Sequence, residues 1–262
     1  MHSRIQHHAG RLALLLLLIG IFTAALIPGC SGDDDDDDDD DASDDDTADD
    51  DTEELGTAHF RAVHVAPNVT EVDIYLDEDI SPVQDLFYTG ASGYVAVDAT
   101  THSVDVVPSG DSISDTIFTI NNVDFADDTD YTLATIGNIG SKYRVMTLQE
   151  DRSAVADNST RVQAVHAADG VGSVDVWNVP DGGAASLLFS DLSFAAASGF
   201  SVLPSGSYTL GVDTNDDGSL EATYDVTLKS ADIVSLYVIF DGGIPRIVSV
   251  SDNGDTKVLL PK

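Results

Sequence analysis

The chain has 262 residues, of which 42% are hydrophobic and 22% charged, a composition that suits globular protein. Its 47 acidic against 11 basic residues leave a net charge of -36, which excludes a nucleic-acid binder because a phosphate backbone would be repelled over most of the surface. A single cysteine excludes an intrachain disulfide, a thiolate zinc cage and an iron-sulfur cluster.

In chain order, Arg4 and Arg11 precede an apolar run from Leu12 to Leu26 that contains five consecutive leucines, Leu14 to Leu18. This is the pattern of a signal peptide over residues 1–29. The run is shorter than the roughly 20 helical residues a bilayer core requires, and it stops at Pro28 and Gly29. The segment Leu26-Ile27-Pro28-Gly29-Cys30 resembles the bacterial lipobox, with Pro28 a departure from the small or hydroxylated residue usual there. The resemblance implies cleavage before Cys30 and acylation of its thiol and new amine, and several acyl chains on one residue give stable anchoring.

Residues 33–54 contain 17 Asp or Glu and no Lys or Arg, with Asp33 to Asp41 unbroken. Such a run buries nothing, so residues 30–57 are expected to be a lipidated cysteine and a disordered poly-Asp tether. Self-repulsion extends it, and the 26 residues from Ser31 to Gly56 reach at most roughly 90 Å. A lipidated cysteine followed by aspartates also resembles the surface-export signal of some Gram-negative lipoproteins. Without the run, residues 55–262 still hold 30 acidic and 9 basic residues.

The remaining chain repeats itself. Ala62-Val63-His64, Val69 and Val72-Asp73-Ile74-Tyr75 recur 102 residues later as Ala164-Val165-His166, Val171 and Val174-Asp175-Val176-Trp177. Ser92-Gly93-Tyr94 matches Ser198-Gly199-Phe200 at an offset of 106, which places a four-residue insertion around Pro180 to Ala185. The offset then returns to 103 at Leu133 and Leu236, and to 102 at Arg144-Val145 and Arg246-Ile247. The repeats are assigned to residues 58–152 and 158–262.

Each repeat alternates short runs of Val, Ile, Thr and Tyr with Gly, Asp, Asn, Pro and Ser, which reads as strands. In the first, strands are predicted near 58–65, 70–76, 93–97, 102–107, 113–120, 130–137 and 143–149. In the second they are predicted near 160–167, 173–179, 199–203, 207–213, 221–228, 233–240 and 245–251. Seven short strands in about 100 residues predict an all-β protein of two tandem immunoglobulin-like antiparallel β-sandwiches, held by apolar burial alone. Val72, Ile74 and Leu76 fall on one face with Asp73 and Tyr75 on the other, and Ile233 to Phe240 is apolar on both faces, as a central strand would be.

The string Arg61-Ala62-Val63-His64-Val65-Ala66-Pro67-Asn68-Val69-Thr70-Glu71-Val72-Asp73-Ile74-Tyr75 resembles the opening of a bacterial envelope family, domain of unknown function 4397. Ser92-Gly93-Tyr94 and Leu203-Pro204-Ser205-Gly206-Ser207-Tyr208 are similar to its middle, whereas Asp169 stands where the second copy would carry the proline. The resemblance spans nearly all of residues 58–252. It implies an extracytoplasmic β-sandwich repeat on anchored or secreted proteins, with no established activity.

Three sets of residues carry candidate chemistry. His64, Asp73 and Ser92, repeated as His166, Asp175 and Ser198, follow one chain order of hydrolytic triads. Because both copies hold them, the simpler expectation is a structural His-Asp hydrogen bond between neighbouring strands, with Ser-Gly a turn. Asp213-Thr214-Asn215-Asp216-Asp217-Gly218-Ser219-Leu220-Glu221 resembles the start of an EF-hand calcium loop, with Asp213, Asn215, Asp217, Ser219 and Glu221 as candidate ligands. Its twelfth position is Tyr224, and Asp217-Gly218 alone would explain a hairpin turn. Tyr75 and Trp177 alternate away from the apolar face, where they would cover a sheet or the contact between repeats, or stack on a ligand.

The sequence therefore predicts a non-enzymatic lipoprotein of the cell envelope, anchored to the outer membrane through acyl chains on Cys30. It would be displayed at the surface or in the periplasm, with no cofactor other than candidate calcium, and would present a binding, adhesion or structural module to a protein or polysaccharide partner. A serine hydrolase and a calcium-stabilised spacer are the alternatives.

Overall fold

The repeated Val-, Ile- and Tyr-rich runs form strands, and in the computed structural model these strands build two β-sandwiches stacked face to face. The structure describes residues 55–79, 82–137 and 143–262. The predicted leader, Cys30 and nearly all of the acidic tether lie outside them. Both sandwiches belong to the unit Thr52–Lys262. Among the described residues no helix is long and apolar enough to cross a membrane.

The first sandwich comprises β1 (Thr57–His64), β2 (Glu71–Leu76), β3 (Val83–Phe87), β4 (Val95–Asp98), β5 (Thr101–Pro108), β6 (Phe118–Asp124), β7 (Asp130–Ile136) and β8 (Arg144–Gln149). One sheet has the order β4-β1-β7-β8 and the other β3-β2-β5-β6. The second sandwich comprises β9 (Ser159–His166), β10 (Val174–Asn178), β11 (Ser186–Leu192), β12 (Ser201–Pro204), β13 (Gly206–Asp213), β14 (Ala222–Leu228), β15 (Asp232–Asp241), β16 (Ile244–Ser251) and β17 (Thr256–Leu259). Its sheets repeat the order as β12-β9-β15-β16-β17 and β11-β10-β13-β14.

The β-sandwiches expected from the alternation are thus present, with features that alternation does not carry. Strand pairing is antiparallel except between β1 and β7 and between β9 and β15, which are parallel. The chain returns to its first strand only after crossing the other sheet, a connection a parallel pair requires. The strands β3, β11 and β17 are additional to those predicted. The predicted strand near 113–120 is instead a 3₁₀ turn at Ile113–Asp115 followed by β6.

Three apolar cores order the sheets. Phe60 and Ala62 on β1, Val72 and Ile74 on β2, Val104 and Val106 on β5 and Leu133 on β7 fill the first sandwich. Val162, Ala164, Val174, Val176, Leu210, Tyr224 and Leu236 do the same in the second. The third core lies between the sandwiches. Val63, Val65, Ala134 and Ile136 of the first meet Val165, Ala167, Tyr237, Ile239, Val248 and Val250 of the second. The β1 and β9 sheets are therefore buried on both faces, and the molecule is a stack of four sheets. This double burial is why the run from Ile233 to Phe240, within β15, is apolar at nearly every position.

The interface also contains a polar network. Arg61 on β1 is 1% exposed. Its Nε donates to Thr132 Oγ1 at 2.9 Å, its Nη1 to Ser251 O of the second sandwich at 2.8 Å, and its Nη2 lies 3.5 Å from Glu150 Oε1. Arg152 reaches Asp252 across the interface, with Nε to Oδ1 at 2.8 Å, and Asp130 at 3.2 Å. Both guanidinium groups contact the Tyr94 ring, at 5.2 Å for Arg61 and 4.1 Å for Arg152. At the equivalent place in the second sandwich Gln163 donates to Ser235 Oγ at 2.9 Å.

Removing one member of the buried pair strands the other charge. Arg61→Met is expected to destabilise the folded chain by about 3–5 kcal/mol, and Arg61→Met/Glu150→Leu to recover most of that loss. Urea denaturation of the three proteins checks the order.

Candidate functional site

The His, Asp and Ser residues shared by the repeats are built into the ends and bulges of the strands. His64 ends β1 on its inner face, below Phe60 and Ala62. Its ring is fully buried, and Nε2 donates to Val69 O at 3.0 Å. A carbonyl only accepts, so the proton is on Nε2, and Nδ1 is left without a partner. His166 makes the same bond to Gly172 O at 2.9 Å, and its Nδ1 accepts from Ala168 N at 3.2 Å. Each histidine thus closes the loop that follows its own strand. Burial pulls the His64 pKa down to about 4 and lowers that of His166, the loop-carbonyl bond opposing it in each case.

Asp73 and Asp175 face outward from β2 and β10, on the other side of their sheets from the histidines. The predicted His-Asp bonds are therefore replaced by other partners. Asp73 Oδ1 accepts from Asp85 N at 2.8 Å, and Asp175 Oδ1 from Asp191 N at 2.7 Å. Asp85 and Asp191 have φ of 52° and 54° and sit on strands whose register shifts against β2 and β10. Each outward aspartate thus fastens a bulge, a place where short polar side chains tolerate the left-handed backbone.

Ser92 and Ser198 lie beside β1 and β9 just before the partner strand starts. Ser92 Oγ accepts from Ala62 N at 2.9 Å and donates to Gly93 O at 2.8 Å, and Ser198 Oγ accepts from Ala164 N at 3.0 Å and donates to Gly199 O at 2.7 Å. Each hydroxyl continues the sheet ladder. The serine, histidine and aspartate of a repeat form no relay, because each bonds to the backbone.

The loop Asp213–Glu221 joins β13 to β14. Asp213 is fully buried, its Oδ1 accepting from Asn215 N and Asp216 N at 3.1 and 2.9 Å and its Oδ2 from Gly218 N at 2.8 Å. Asn215 Oδ1 accepts from Asp217 N, Asp217 Oδ1 from Ser219 N, and Glu221 Oε2 from Thr214 N. Asp213, Asp217 and Glu221 bring carboxylate oxygens within 4.8 Å of one another, and Asp175, Asp191 and Asp216 form a second such trio. Asp175 stands directly opposite Asp213 in the β10–β13 register. Tyr224, at the twelfth position of the EF-hand pattern, turns into the core and donates its hydroxyl to Pro245 O. Asp225 is held by Lys262 and Thr209. The bidentate twelfth ligand is therefore missing.

Tyr75 and Trp177 are half-buried and lie on the two outermost sheets, on opposite sides of the stack. They neither share a site nor cover the contact between repeats. Tyr75 is opposite Asp105, and Trp177 is between Gly211 and Leu187. A Cβ on Gly211 would come within 2.5 Å of Leu220, so the position opposite Trp177 is closed to a larger residue. Leu187 is 45% exposed. A polar groove of about 610 Å³ runs along the same sandwich, lined by Asn178, Asp181, Tyr208, Thr209, Asp225 and Lys262.

Ser92→Ala and Ser198→Ala each leave a strand N–H without its acceptor. We expect a loss of about 1–3 kcal/mol for each in urea denaturation, and no labelling of either serine by an active-site serine probe.

Compared with known proteins, residues 58–177 match the model of a family described as Domain of unknown function (DUF4397). No curated protein matches the chain. A solved structure described as "Alpha-glucan binding by a streptococcal virulence factor" is similar at 12% identity, with a TM-score of 0.24, covering 72% of this chain and 95% of that one. The matched region takes in the first sandwich from the second residue of β1, all of β9, and β10 up to Trp177. Over these residues the chain resembles the DUF4397 family, as its Val63-His64 and Val72-Asp73 strings imply.

Proposed function

We propose that the chain is a cell-envelope lipoprotein, anchored to the outer membrane through Cys30, that presents its stacked β-sandwiches as a binding, adhesion or structural module. The observation that carries this reading is how the polar residues common to both repeats are used. His64, Asp73, Ser92 and their counterparts are spent on loops, bulges and ladder ends, which suits a scaffold rather than a hydrolase. The outer sheets, the loops and the groove beside Thr209 and Asp225 are left as the presenting surface. Its acidity disfavours anionic partners, so a protein with basic groups or a neutral polysaccharide fits best. The acidic tether would hold this surface clear of the membrane.

Two measurements test the placement. Cys30→Ala should abolish incorporation of labelled fatty acid and release the chain from the membrane fraction. Protease treatment of intact cells should remove residues 55–262 while a periplasmic control survives; protection until the outer membrane is opened would make the module a periplasmic one.

A second reading, a calcium-stabilised spacer, is favoured by the convergence of Asp213, Asp217 and Glu221 opposite Asp175. An ion there would relieve like-charge repulsion, with weak affinity because Tyr224 replaces the bidentate ligand. Millimolar calcium should then raise the melting temperature of residues 55–262, and Asp217→Ala should remove the rise. An unchanged melt would leave the loop a hairpin held by its own backbone.

A further inference from the structure

The buried histidines have neighbours that the loop-closing role does not explain. The His64 ring meets Tyr88 edge-on at 5.8 Å between centroids, and the His166 ring meets Phe194 at 5.9 Å. Tyr88 and Phe194 are equivalent in the repeat, and both pack into the core between the sandwiches. Each then reaches a charged group of the opposite sandwich. Arg144 of the first lies 5.7 Å from the Phe194 ring, while Arg246 and Asp241 of the second act on the Tyr88 hydroxyl. Arg144 and Arg246 are themselves equivalent. The backbone repeats the link, since Thr89 N donates to His64 O at 2.7 Å and Ala195 N to His166 O at 2.9 Å.

We propose that His64 and His166 are acid-operated latches of the contact between the sandwiches: on protonation each frees its aromatic partner, and the interface loosens while each sandwich keeps its own fold. Neutral imidazole suits both sites, with one donor used on a loop carbonyl. A second proton is unwelcome. At His166 it would point a new N–H at the Ala168 N–H that now donates to Nδ1. At His64 it would place a charge in a fully buried ring.

The surroundings offer it little compensation. Tyr88 stays neutral throughout the acid range, its pKa pushed up to about 12 by burial and then by Asp241. Arg246 beyond it is paired with Asp241 at 3.5 Å, and Arg144 lies beyond Phe194, so neither offers a counter-charge to a protonated imidazole. Thr135 beside His64, and Val238, Ala168 and Gly172 around His166, carry no charge, and Asp169 belongs to the loop that His166 closes. Asp241 is the carboxylate opposite Tyr88.

The sign follows from linkage. With a pKa of about 4 when closed and 6.5 when released, the His64 latch is fully closed above pH 6.5 and progressively released as pH falls toward 4. At pH 4.5 the released form is favoured roughly 10²-fold over its share at neutral pH.

The test is hydrogen exchange of the full chain between pH 7 and pH 4.5, corrected for intrinsic amide rates. Protection of the Thr89 amide should fall at least about tenfold and that of the Ala195 amide should fall with it, while β2, β5, β10 and β13 keep theirs. His64→Gln and His166→Gln, whose carboxamide still donates to a carbonyl but does not titrate, should each abolish the acid response of their own copy alone. Unchanged protection at Thr89 and Ala195, or loss only together with the inner strands, would overturn the proposal. Should a variant fold poorly, ring-proton titration of the unmodified chain by NMR decides the matter. Amide loss must share its midpoint with titration of the two buried imidazoles, and midpoints that differ overturn the latch.

Discussion

The burial of two sheets on both faces is the constraint from which most of this structure follows. A sandwich whose second face met water would show polar and apolar residues alternating along β1, β7, β9 and β15. Instead these strands carry Val63, Ala134, Ile136, Val165, Tyr237 and Ile239 outward into a shared core, as well as the residues that fill each sandwich. At about 25 cal/mol per Å² of apolar surface, such an interface resembles a domain interior more than a contact between loosely tethered modules. It joins the repeats through equivalent surfaces, so that the duplicated strands meet almost as the halves of a two-fold dimer would.

Polar groups inside that interface give it register. Apolar faces slide over one another at little cost, whereas the bonds from Arg61 to Ser251 and from Arg152 to Asp252 fit one alignment only. The asymmetry between the copies is concentrated here. Arg61 and Thr132 in the first repeat correspond to the neutral Gln163 and Ser235 in the second, while Glu150 corresponds to Asp252, which pairs with Arg152 instead. Two guanidinium groups against one tyrosine ring could not be accommodated twice in the same space, and the departure from repetition marks where one copy yields to the other. With each strand's backbone tied off by His64, Ser92, Asp73 and their counterparts, side-chain chemistry is left mainly to the outer sheets and the Asp213–Glu221 loop.

The strands that repeat strongly were legible because a period of two survives in Val72-Asp73-Ile74-Tyr75 and its copy. β3 and β11 were not, because Asp85 and Asp191 adopt left-handed backbone in mid-strand, break the alternation and look like turn residues. β17 is only four residues long, Thr256–Leu259, and its addition to the edge of β16 makes it a strand. Among candidate residues, the calcium-like loop was readable from spacing, since the oxygens of Asp213, Asn215 and Asp217 fall at alternate positions and bond back to the turn. The expected histidine–aspartate pairing is absent because β1 and β2 lie in different sheets, and spacing along the chain does not say which faces of two sheets meet.

By itself the sequence determined the all-β class, the duplication, the faces of the strands and the acidic character of the folded part, because these depend on local propensity, periodicity and composition. It also carries the lipobox-like Cys30 and the aspartate run, which rest on motif and charge alone. Only the tertiary structure decided that the two sandwiches stack through equivalent sheets, that Arg61 and Glu150 are buried partners across 89 positions of chain, and that Tyr75 and Trp177 look out from opposite sides. It likewise decided that His64 and His166 sit behind the aromatics of the interface. These are relations between residues distant in sequence. They are fixed by which surfaces exclude water together, and a linear pattern holds no record of that.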